Sequence, residues 1–566
     1  MKKTLFIFLI GIITFFAFAI RVFQLEKSPP APYWEEVALG YDAYSILKTG
    51  EDHHGNSWPI VAFESFGDWK PSGYFYALLP AIALFDLTVF AVRLPSVLAG
   101  TGIVFLIGWL IYQWLNNVNE KKRFLISLSG MFLAAISPWL IQFSRAGWEV
   151  NLATFLILFG ICTGWASVKN LKEKNTSFIL ILLALISMIL SMYAYHAARV
   201  IAPVLGLFLG ARYFLSTLKT EHSKIFLKTS ILFVIGLMLL TPLIKSWGSP
   251  VLSQRMAETT IFSNITIIEQ SNYFIGLHEN TWWAKLVYHR YFFYLRTIVE
   301  QFLVHFRIDF LFGSGDAIAR HSSQYFGLFY PFEIISILVG TWFIIKNFSK
   351  DKRSFMWLWL VIGIIPAAIS NPVPHALRIL PTAPLFIILS TIGLWQTLEW
   401  LNELPCLIKQ LKNLRPYIFT SIIFLVYLTS FIAFYRHLLL VYPARFSQEW
   451  QGGYEQMIAE LNLFKQQNPQ LPIYITREQG RPAMYYWFYN KIDPTVVQQE
   501  NFIVKKDQEE YLEFLNLHFV NSVAEVIQTP AIVVASPTQW QMIEHKDNLI
   551  NIIFFDNQIW QIGINQ

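Results

Sequence analysis

Long apolar runs recur along this chain, and they constrain its fold more than any other feature. Each has about the length that an α-helix needs to cross a bilayer, which is roughly 20 residues. Short polar loops separate most of them. The sequence therefore predicts a mostly α-helical integral membrane bundle of about 11 transmembrane helices. The predicted spans are 4–20, 93–115, 124–143, 149–167, 177–195, 199–216, 229–245, 325–346, 355–370, 378–397 and 416–436.

The composition supports the same class of protein. Of the 566 residues, 55% are hydrophobic and 14% are charged, and the mean hydropathy is +0.44. Such values are typical of multi-span membrane proteins. The formal net charge is +6, but the basic residues are dispersed among loops, so the sequence predicts no nucleic acid partner. The two cysteines, Cys162 and Cys406, predict neither a disulfide framework nor a cysteine-based metal site.

The first apolar run allows two interpretations. Met1-Lys2-Lys3 precedes an apolar stretch that ends at Ile20, as in a signal peptide. The nearest small-residue cleavage motif, Ala17-Phe18-Ala19, is a weak match. We therefore expect an uncleaved first span.

Basic residues predict how the bundle is oriented. With the N-terminus in the cytoplasm, every predicted cytoplasmic loop is rich in Lys or Arg, as the positive-inside rule requires. An odd number of spans then places the C-terminus outside. The sequence thus predicts a multi-pass protein of the cell membrane with a cytoplasmic N-terminus and an extracytoplasmic C-terminal domain. The supporting loop residues are Lys2, Lys3, Lys121, Lys122, Arg123, Lys169, Lys172, Lys174, Lys219, Lys224, Lys228, the run 346–353, Lys409, Lys412 and Arg415.

Two long outer segments, 21–92 and 246–324, belong to the predicted membrane domain at 1–440. The apolar stretch at 74–90 would reverse all later charge assignments if it crossed the membrane, so we expect it to lie in the interface. Trp282-Trp283 and the aromatic stretch at 288–312 predict interfacial helices in the second segment.

The end of the chain has a different pattern. Helix-like segments alternate there with short β-type runs at 473–475, 531–535 and 552–555. This alternation predicts an extracytoplasmic α/β domain at 441–566.

Two adjacent acids, Glu35 and Glu36, follow shortly after the first span. Carboxylates next to a hydrocarbon layer are costly, and they are rarely packing residues. The pair therefore indicates a catalytic or ion-binding acid at the membrane surface.

Other polar side chains collect on the same predicted face. Spacings of three and four residues place several of them in pairs on one helical face. Each also has an ordinary interpretation, as a surface ion pair, an interfacial histidine, a snorkelling arginine or a solvated loop charge. We favour a single site, because this one face collects acids and arginines together. The residues are Asp68 and Lys70, and the pairs Arg145 with Glu149, His196 with Arg199, and His375 with Arg378.

This set of residues suits group transfer from a lipid phosphate. A carboxylate can take a proton from an acceptor hydroxyl. Arg and Lys can bind a phosphate and stabilise its charge as it leaves, and an aromatic interface can accept a prenyl chain. The predicted roles are catalysis for Glu35, Glu36 and Asp68, binding of the donor phosphate for Lys70, Arg145, Arg199 and Arg378, and support for Glu149, His196 and His375.

A divalent metal is a further hypothesis. Glu35, Glu36, His53 and His54 are all ligand types. Their spacing matches no metal-binding signature, so the sequence assigns no cofactor.

Several short motifs resemble elements of the family 39 glycosyltransferases of the GT-C superfamily, which include protein O-mannosyltransferases and lipid A aminoarabinose transferases. Glu35-Glu36 looks like the Asp-Glu pair of that family. Gly67-Asp68-Trp69-Lys70-Pro71 looks like its Lys-Pro element, followed by Arg93-Leu94-Pro95-Ser96, and 137–149 resembles its next outer turn. The likeness in hydropathy covers about residues 1–440.

The resemblance implies an integral membrane enzyme that uses a polyprenyl-phosphate-linked sugar and inverts the anomeric centre. The first acid of the pair acts as the base in that family, which implies Glu35 here. Because this chain has Glu where the family has Asp, the assignment between Glu35 and Glu36 stays open. The implied partners are the polyprenyl-phosphate sugar donor, membrane lipids and an acceptor that is a protein, a lipid or a glycan.

Two other functions remain as alternatives. One is an oligosaccharide polymerase or ligase that acts on polyprenyl-diphosphate glycans. The other is a transporter of lipid-linked sugars, a class that often carries midplane charges and repeated halves. The sequence contains no such repeat.

Overall fold

The computed structural model describes residues 3–219, 225–246, 248–249, 260–403, 414–499, 504–505, 510–525, 530–543, 546–555 and 557–565. Cys406 and the loop lysines Lys2, Lys224, Lys409 and Lys412 lie outside this part. The chain forms two compact units, each built from separate stretches of sequence. The first unit comprises Met1–Arg21, Ser96–Ser144 and Trp148–Tyr435, and the second comprises Val22–Pro95, Arg145–Gly147 and Arg436–Gln566.

Helices dominate the first unit. Some begin or end a few residues beyond its limits, because the division falls inside them. Their bounds are Lys3–Val22, Val89–Trp114, Glu120–Ile136, Pro138–Ser144, Glu149–Lys169, Lys174–Ala194, Ala198–Leu218, Ile225–Lys245, Ile265–Leu277, Trp282–Val287, Arg290–Val304, Glu333–Asn347, Lys350–Ala368, Ala383–Glu403 and Arg415–Arg436.

The described residues contain 8 helices that are long and apolar enough to cross a membrane. A ninth span results if Glu120–Ile136 and Pro138–Ser144 are counted as one, although their axes differ by 57°. The bend falls at Pro138, which lacks the N–H that would continue the helix. The prediction of a multi-span helical membrane protein is confirmed.

The number of qualifying spans is smaller than the eleven predicted, because two predicted spans form less suitable helices. The run 325–346 is helical only over Glu333–Asn347, which has 15 residues. The run 355–370 belongs to Lys350–Ala368, whose 19 residues begin with the charged sequence Lys350-Asp351-Lys352-Arg353. Both helices lie beside longer ones in the first unit.

Two glycines let helices Glu333–Asn347 and Ala383–Glu403 approach closely. A Cβ atom on Gly340 would overlap the carbonyl oxygen of Leu389, and one on Gly393 would overlap that of Ser336. Small residues at such contacts allow close backbone packing in membrane proteins.

The segment 246–324 contains the short helices Ile265–Leu277, Trp282–Val287 and Arg290–Val304. They present large exposed aromatic side chains, including Trp282, which is 79% exposed, and Tyr291, which is 68% exposed. Aromatic belts of this kind suit the membrane interface. Their placement in the interface stays a prediction.

The second unit combines short helices with a mixed β-sheet. Its six-stranded sheet has the strand order Glu513–Phe514, Leu517–Val520, Ile473–Thr476, Ala531–Ala535, Asn557–Asn565 and Lys546–Phe554. The three neighbouring strands that begin at 473, 517 and 531 are parallel, and Ala531–Ala535 is buried along its whole length, as expected for an internal strand. Two small antiparallel pairs join Ala62–Ser65 to Asp68–Pro71 and Val504–Lys505 to Glu510–Tyr511. The helices are Trp34–Thr49, Gly73–Phe85, Tyr442–Arg445, Tyr454–Gln467, Pro482–Asn490, Pro494–Gln499 and Pro537–Trp540.

This composition agrees with the α/β character predicted for 441–566. The apolar stretch at 74–90 supplies the 13-residue helix Gly73–Phe85, which is shorter than a span. Its predicted position in the interface is untested.

Within the second unit, the first outer segment packs with the C-terminal sheet region. The hydroxyl of Tyr485 donates to the carbonyl of Pro32 at 2.9 Å, and that of Tyr41 donates to the carbonyl of Ile492 at 3.0 Å. The Gln498 amide donates to the Asp52 carbonyl at 2.9 Å. These partners are more than 400 positions apart in the sequence. The domain division near residue 440 stays a prediction.

Candidate active site

Glu36 lies in a closed cradle of hydrogen-bond donors. It sits in the first turn of helix Trp34–Thr49 and is 4% exposed. Oε1 accepts from Arg93 Nε at 2.9 Å and from Gly147 N at 2.8 Å. Oε2 accepts from Tyr33 N at 3.0 Å and from Arg93 Nη2 at 3.1 Å. These four bonds match the four lone-pair positions of a carboxylate.

Arg93 is equally saturated. Besides its bonds to Glu36, it donates from Nη1 to the carbonyls of Leu25 and Pro29 at 2.7 and 2.9 Å, and from Nη2 to that of Ala31 at 2.6 Å. A guanidinium has five N–H donors, and all five are used. Arg93 therefore fastens the chain that leaves the first span to the start of helix Trp34–Thr49.

Glu35 has a different environment from its neighbour. Its side chain is 32% exposed, and its Oε1 lies 2.9 Å from the Nζ atom of Lys70. The lysine side chain is 3% exposed. Glu35 is thus a partly accessible carboxylate that is held by a buried cation.

A tight hairpin positions Lys70. Strands Ala62–Ser65 and Asp68–Pro71 pair so that Lys70 lies opposite Phe63. The two turn residues, Phe66 and Gly67, have φ angles of 56° and 74°, as in a type I′ turn. Glycine adopts this conformation easily, whereas phenylalanine is strained in it.

Cations flank the ring of Phe66. The Lys70 Nζ atom lies 5.9 Å from the ring centroid, and the Arg481 guanidinium lies 4.4 Å from it. Arg481 follows Gly480, where a Cβ atom would lie 3.1 Å from the Trp34 ring. The C-terminal region therefore brings an arginine close to the hairpin that carries Lys70.

Two further predicted residues of the second unit have defined positions. Asp68 begins the second hairpin strand and pairs with Ser65. Arg145 is fully buried and donates to the backbone carbonyls of Ser28 and Gln24 at 2.9 and 3.0 Å. Arg145 thus binds the same chain segment that Arg93 fastens.

The predicted pairs do not share helical faces, because no helix contains both residues of any pair. Arg145 follows helix Pro138–Ser144, and Glu149 begins helix Glu149–Lys169, so no helix contains both. His375 and Arg378 belong to a turn before the short 3₁₀ helix Leu380–Thr382. Prolines at 372 and 374 disfavour a helix through this stretch.

The pairs His196 with Arg199 and His375 with Arg378 belong to the first unit. His196 precedes helix Ala198–Leu218, but its Nδ1 atom still lies 3.0 Å from Arg199 Nη1. Arg199 also donates from Nε to the Met192 carbonyl at 3.1 Å. Arg378 donates from Nη1 to Ser370 Oγ at 3.0 Å.

The four residues considered as metal ligands do not gather. Glu35 pairs with Lys70 and Glu36 with Arg93, while His53 Nδ1 lies 2.6 Å from Asp42 Oδ1. Within the described residues, one group of His, Cys, Asp and Glu side chains is close enough to hold a metal ion, and it consists of Asp316, His321 and His375.

Sequence reasoning identified His375 but missed its partners. It also missed Arg93 as a site residue, although the motif around it was noticed. The available signal was a lone arginine at the start of an apolar run, because such a charge needs a buried partner. Arg481, Asp316 and His321 gave no comparable signal, since loops bring them to their neighbours.

No family model and no curated protein matches this chain. Solved structures match it by fold, as multi-span helical proteins with a C-terminal sheet-containing region.

Two of these structures represent the similarity. ArnT from Cupriavidus metallidurans, in a crystal structure with undecaprenyl phosphate, matches 100% of this chain and 98% of its own at a TM-score of 0.50 and 12% identity. The oligosaccharyltransferase of Archaeoglobus fulgidus, tethered to an acceptor peptide with an NVT sequon, matches 87% of this chain and 63% of its own at a TM-score of 0.51 and 12% identity. The predicted fold class is confirmed, and membership of the GT-C superfamily and of its family 39 stays a prediction.

Proposed function

We propose that this protein is an integral membrane glycosyltransferase that moves a sugar from a polyprenyl-phosphate donor to an acceptor on the extracytoplasmic face. The contrast between Glu35 and Glu36 is the observation that carries the proposal. Glu35 is partly exposed, whereas Glu36, its neighbour at the start of the same helix, is buried and held by four hydrogen bonds. The fold shared with ArnT, which was crystallised with undecaprenyl phosphate, supports a lipid-phosphate substrate.

Glu35 is the proposed general base. A base must reach the hydroxyl proton that it removes, and Glu35 is partly exposed. Glu36 is a poor candidate, because four hydrogen bonds already occupy its lone pairs. Its proposed role is to hold helix Trp34–Thr49 in position, so that Glu35 faces outward.

Lys70 is the proposed partner of the base. Its ammonium lies 2.9 Å from Glu35, which favours the ionised carboxylate. The same cation can attract the donor phosphate. Arg199 and Arg378 are proposed phosphate ligands, whereas the backbone contacts of Arg145 support a positioning role. Inversion at the anomeric carbon belongs to the proposal, because one displacement by an activated hydroxyl inverts the centre.

The first experiment compares lipid-linked sugars in membranes with and without the protein. We expect one polyprenyl-phosphate sugar to be consumed only when the protein is present. Glu35→Gln keeps the shape of the side chain and removes the proton acceptor, so its rate should fall by about 10²–10⁴-fold. Glu300→Gln, on an exposed helix, is the matched control.

Two results would contradict this assignment. Unchanged lipid-linked sugars in the presence of active wild-type protein would contradict the transferase. Normal turnover by Glu35→Gln, together with an inactive but folded Glu36→Gln, would reverse the two roles.

A second candidate is transfer of a preassembled oligosaccharide from a polyprenyl diphosphate. The fold similarity to the archaeal oligosaccharyltransferase favours it. The same experiment separates the two, because only the second function consumes a diphosphate-linked glycan.

A further inference from the structure

A second polar cluster lies in the first unit. Asp316, His321 and His375 are 2%, 7% and 6% exposed. Asp316 Oδ2 lies 3.5 Å from His321 Nδ1 and 3.9 Å from His375 Nδ1. The two imidazole rings are 4.7 Å apart, and the potential ligand atoms of all three residues lie within 4.8 Å of one another.

Backbone groups fix the position of the carboxylate. Asp316 Oδ1 accepts from Ile318 N at 2.9 Å, and Oδ2 accepts from Ala376 N at 2.6 Å. His375 N donates to His305 Nε2 at 3.3 Å. Hydrogen bonds from surrounding groups to the ligand residues orient the ligands in metal sites.

The His321 ring is not held by a direct hydrogen bond to Asp316. Its 3.5 Å separation from Asp316 exceeds the usual range of hydrogen bonds. Within the described residues, the buried Nδ1 atom of His321 has no hydrogen-bond partner. A buried polar atom of this kind is costly unless something binds it.

We propose that Asp316, His321 and His375 bind one divalent transition metal ion of the Zn²⁺ class. In a tetrahedral site with bonds of about 2.0–2.1 Å, ligand atoms lie about 3.3–3.5 Å apart. The 3.5 Å separation between Asp316 and His321 matches this spacing, and the 3.9 Å separation between Asp316 and His375 is a few tenths of an ångström longer. Two imidazoles and one carboxylate suit Zn²⁺ and its neighbours better than Ca²⁺ or Mg²⁺, which prefer oxygen, or Cu(I), which prefers sulfur.

The site joins two distant segments of the chain. One is the loop that contains Asp316 and His321, and the other is the turn that begins at His375. Arg378 lies on the same turn, three residues further along. The metal thus fastens the segment that carries a proposed phosphate ligand. The metal site is independent of the identity of the transferred sugar.

The test measures metal content in the full-length protein purified in detergent. We expect about one ion per chain after incubation with Zn²⁺ and removal of the excess. His321→Ala and Asp316→Asn should weaken Zn²⁺ binding at least about tenfold, because even the loss of a group that only hydrogen-bonds to a ligand has an effect of that size. His289→Ala, which removes an exposed histidine of the same outer segment, should retain the ion.

Cobalt provides a readout that needs no variant. Wild-type protein treated with a chelator and then with Co²⁺ should develop the visible absorption of a low-symmetry site, and its Tm should rise on metal binding. His321→Cys supplies another Zn²⁺ ligand and should retain the metal if His321→Ala does not fold. Metal well below one ion per chain in the wild type, or unchanged affinity in folded His321→Ala, would overturn the proposal.

Discussion

Glu36 and Arg93 are joined by two hydrogen bonds, of 2.9 and 3.1 Å, and both side chains are buried. A buried ion pair adds little stability relative to a well-packed apolar pair, but removing one partner leaves the other charge uncompensated. The pair therefore makes the acid site sensitive to changes away from the reacting group.

Arg93→Ala should lower the free energy of unfolding by about 3–5 kcal/mol. The reason is that Glu36 and three backbone carbonyls lose their donor together. Thermal unfolding in detergent measures the effect. Arg296→Ala is the control, because its pair with Glu300 is exposed on both sides and should be worth at most about 1 kcal/mol. Equal decreases in the free energy of unfolding of the two variants would contradict this prediction.

Gly340→Ala should destabilise the packing of helices Glu333–Asn347 and Ala383–Glu403. The new methyl group would collide with a backbone carbonyl, and such overpacking costs about 1–3 kcal/mol. Gly210→Ala provides the comparison, since no heavy atom lies within 4 Å of the position its Cβ would take. That helical substitution should be neutral or stabilising. A Tm for Gly340→Ala at or above that of Gly210→Ala would contradict the packing argument.

Arg378→Ala should weaken use of the polyprenyl-phosphate donor, and Arg378→Lys should be intermediate. Lysine keeps the charge but loses the planar fork that binds phosphate through two hydrogen bonds. Donor titrations would detect the change as a raised KM, with Tm measured alongside. If folded Arg378→Ala turns over donor with wild-type kinetics, Arg199 or Lys70 becomes the better phosphate ligand.

Single cysteines test the predicted orientation. In a background that lacks Cys162 and Cys406, we introduce one cysteine in place of Lys172 or of Met542, which is 54% exposed. The positive-inside rule predicts that an impermeant thiol reagent labels intact cells at 542 and not at 172. The opposite pattern would invert the topology.

His53 should make stability depend on pH. Burial is the largest single influence and lowers its pKa. The charge and hydrogen bond of Asp42, together with the charges of Asp52 and Glu64, outweigh burial and raise the pKa above 6.5. The folded protein thus holds a proton that the unfolded chain releases near pH 6.5. This contribution is complete below pH 6.5 and is lost as the pH rises through the pKa of the folded state.

We therefore expect the Tm of the wild type to fall more than that of His53→Gln across this interval. Thermal unfolding followed by intrinsic fluorescence, at pH values from about 6 upward, measures both. If the Tm of the wild type and that of His53→Gln change with pH in the same way, His53 does not cause the pH dependence of stability.

The sequence was informative where the physics is local. Lipid demands a long apolar run for each span, so helices such as Lys174–Ala194 were predictable. The charged start of Lys350–Ala368 is an equally local feature, and it makes this helix less suitable as a span in spite of its length. The pairs His196–Arg199 and His375–Arg378 are visible from their spacing, although no single helix contains both residues of either pair.

The remaining features depend on contacts that no local pattern encodes. The burial of Arg93 against Glu36 requires the path of 22–33, which folds back over the guanidinium. Likewise, Asp316 and His375 are brought together by a loop and a turn with no shared periodicity. Their association follows from the tertiary fold.

The second unit has a consequence for biosynthesis. Its first part, Val22–Pro95, is translated hundreds of residues before Arg436–Gln566, which supplies the contacts of Tyr485, Ile492 and Gln498. Long-range contacts of this kind form late. Helix Trp34–Thr49, which carries Glu35 and Glu36, therefore lacks these packing partners until the last segment has been synthesised. A chain truncated before Arg436 would possess Glu35 and Lys70 and still lack their support, so nascent fragments would be inactive and prone to degradation.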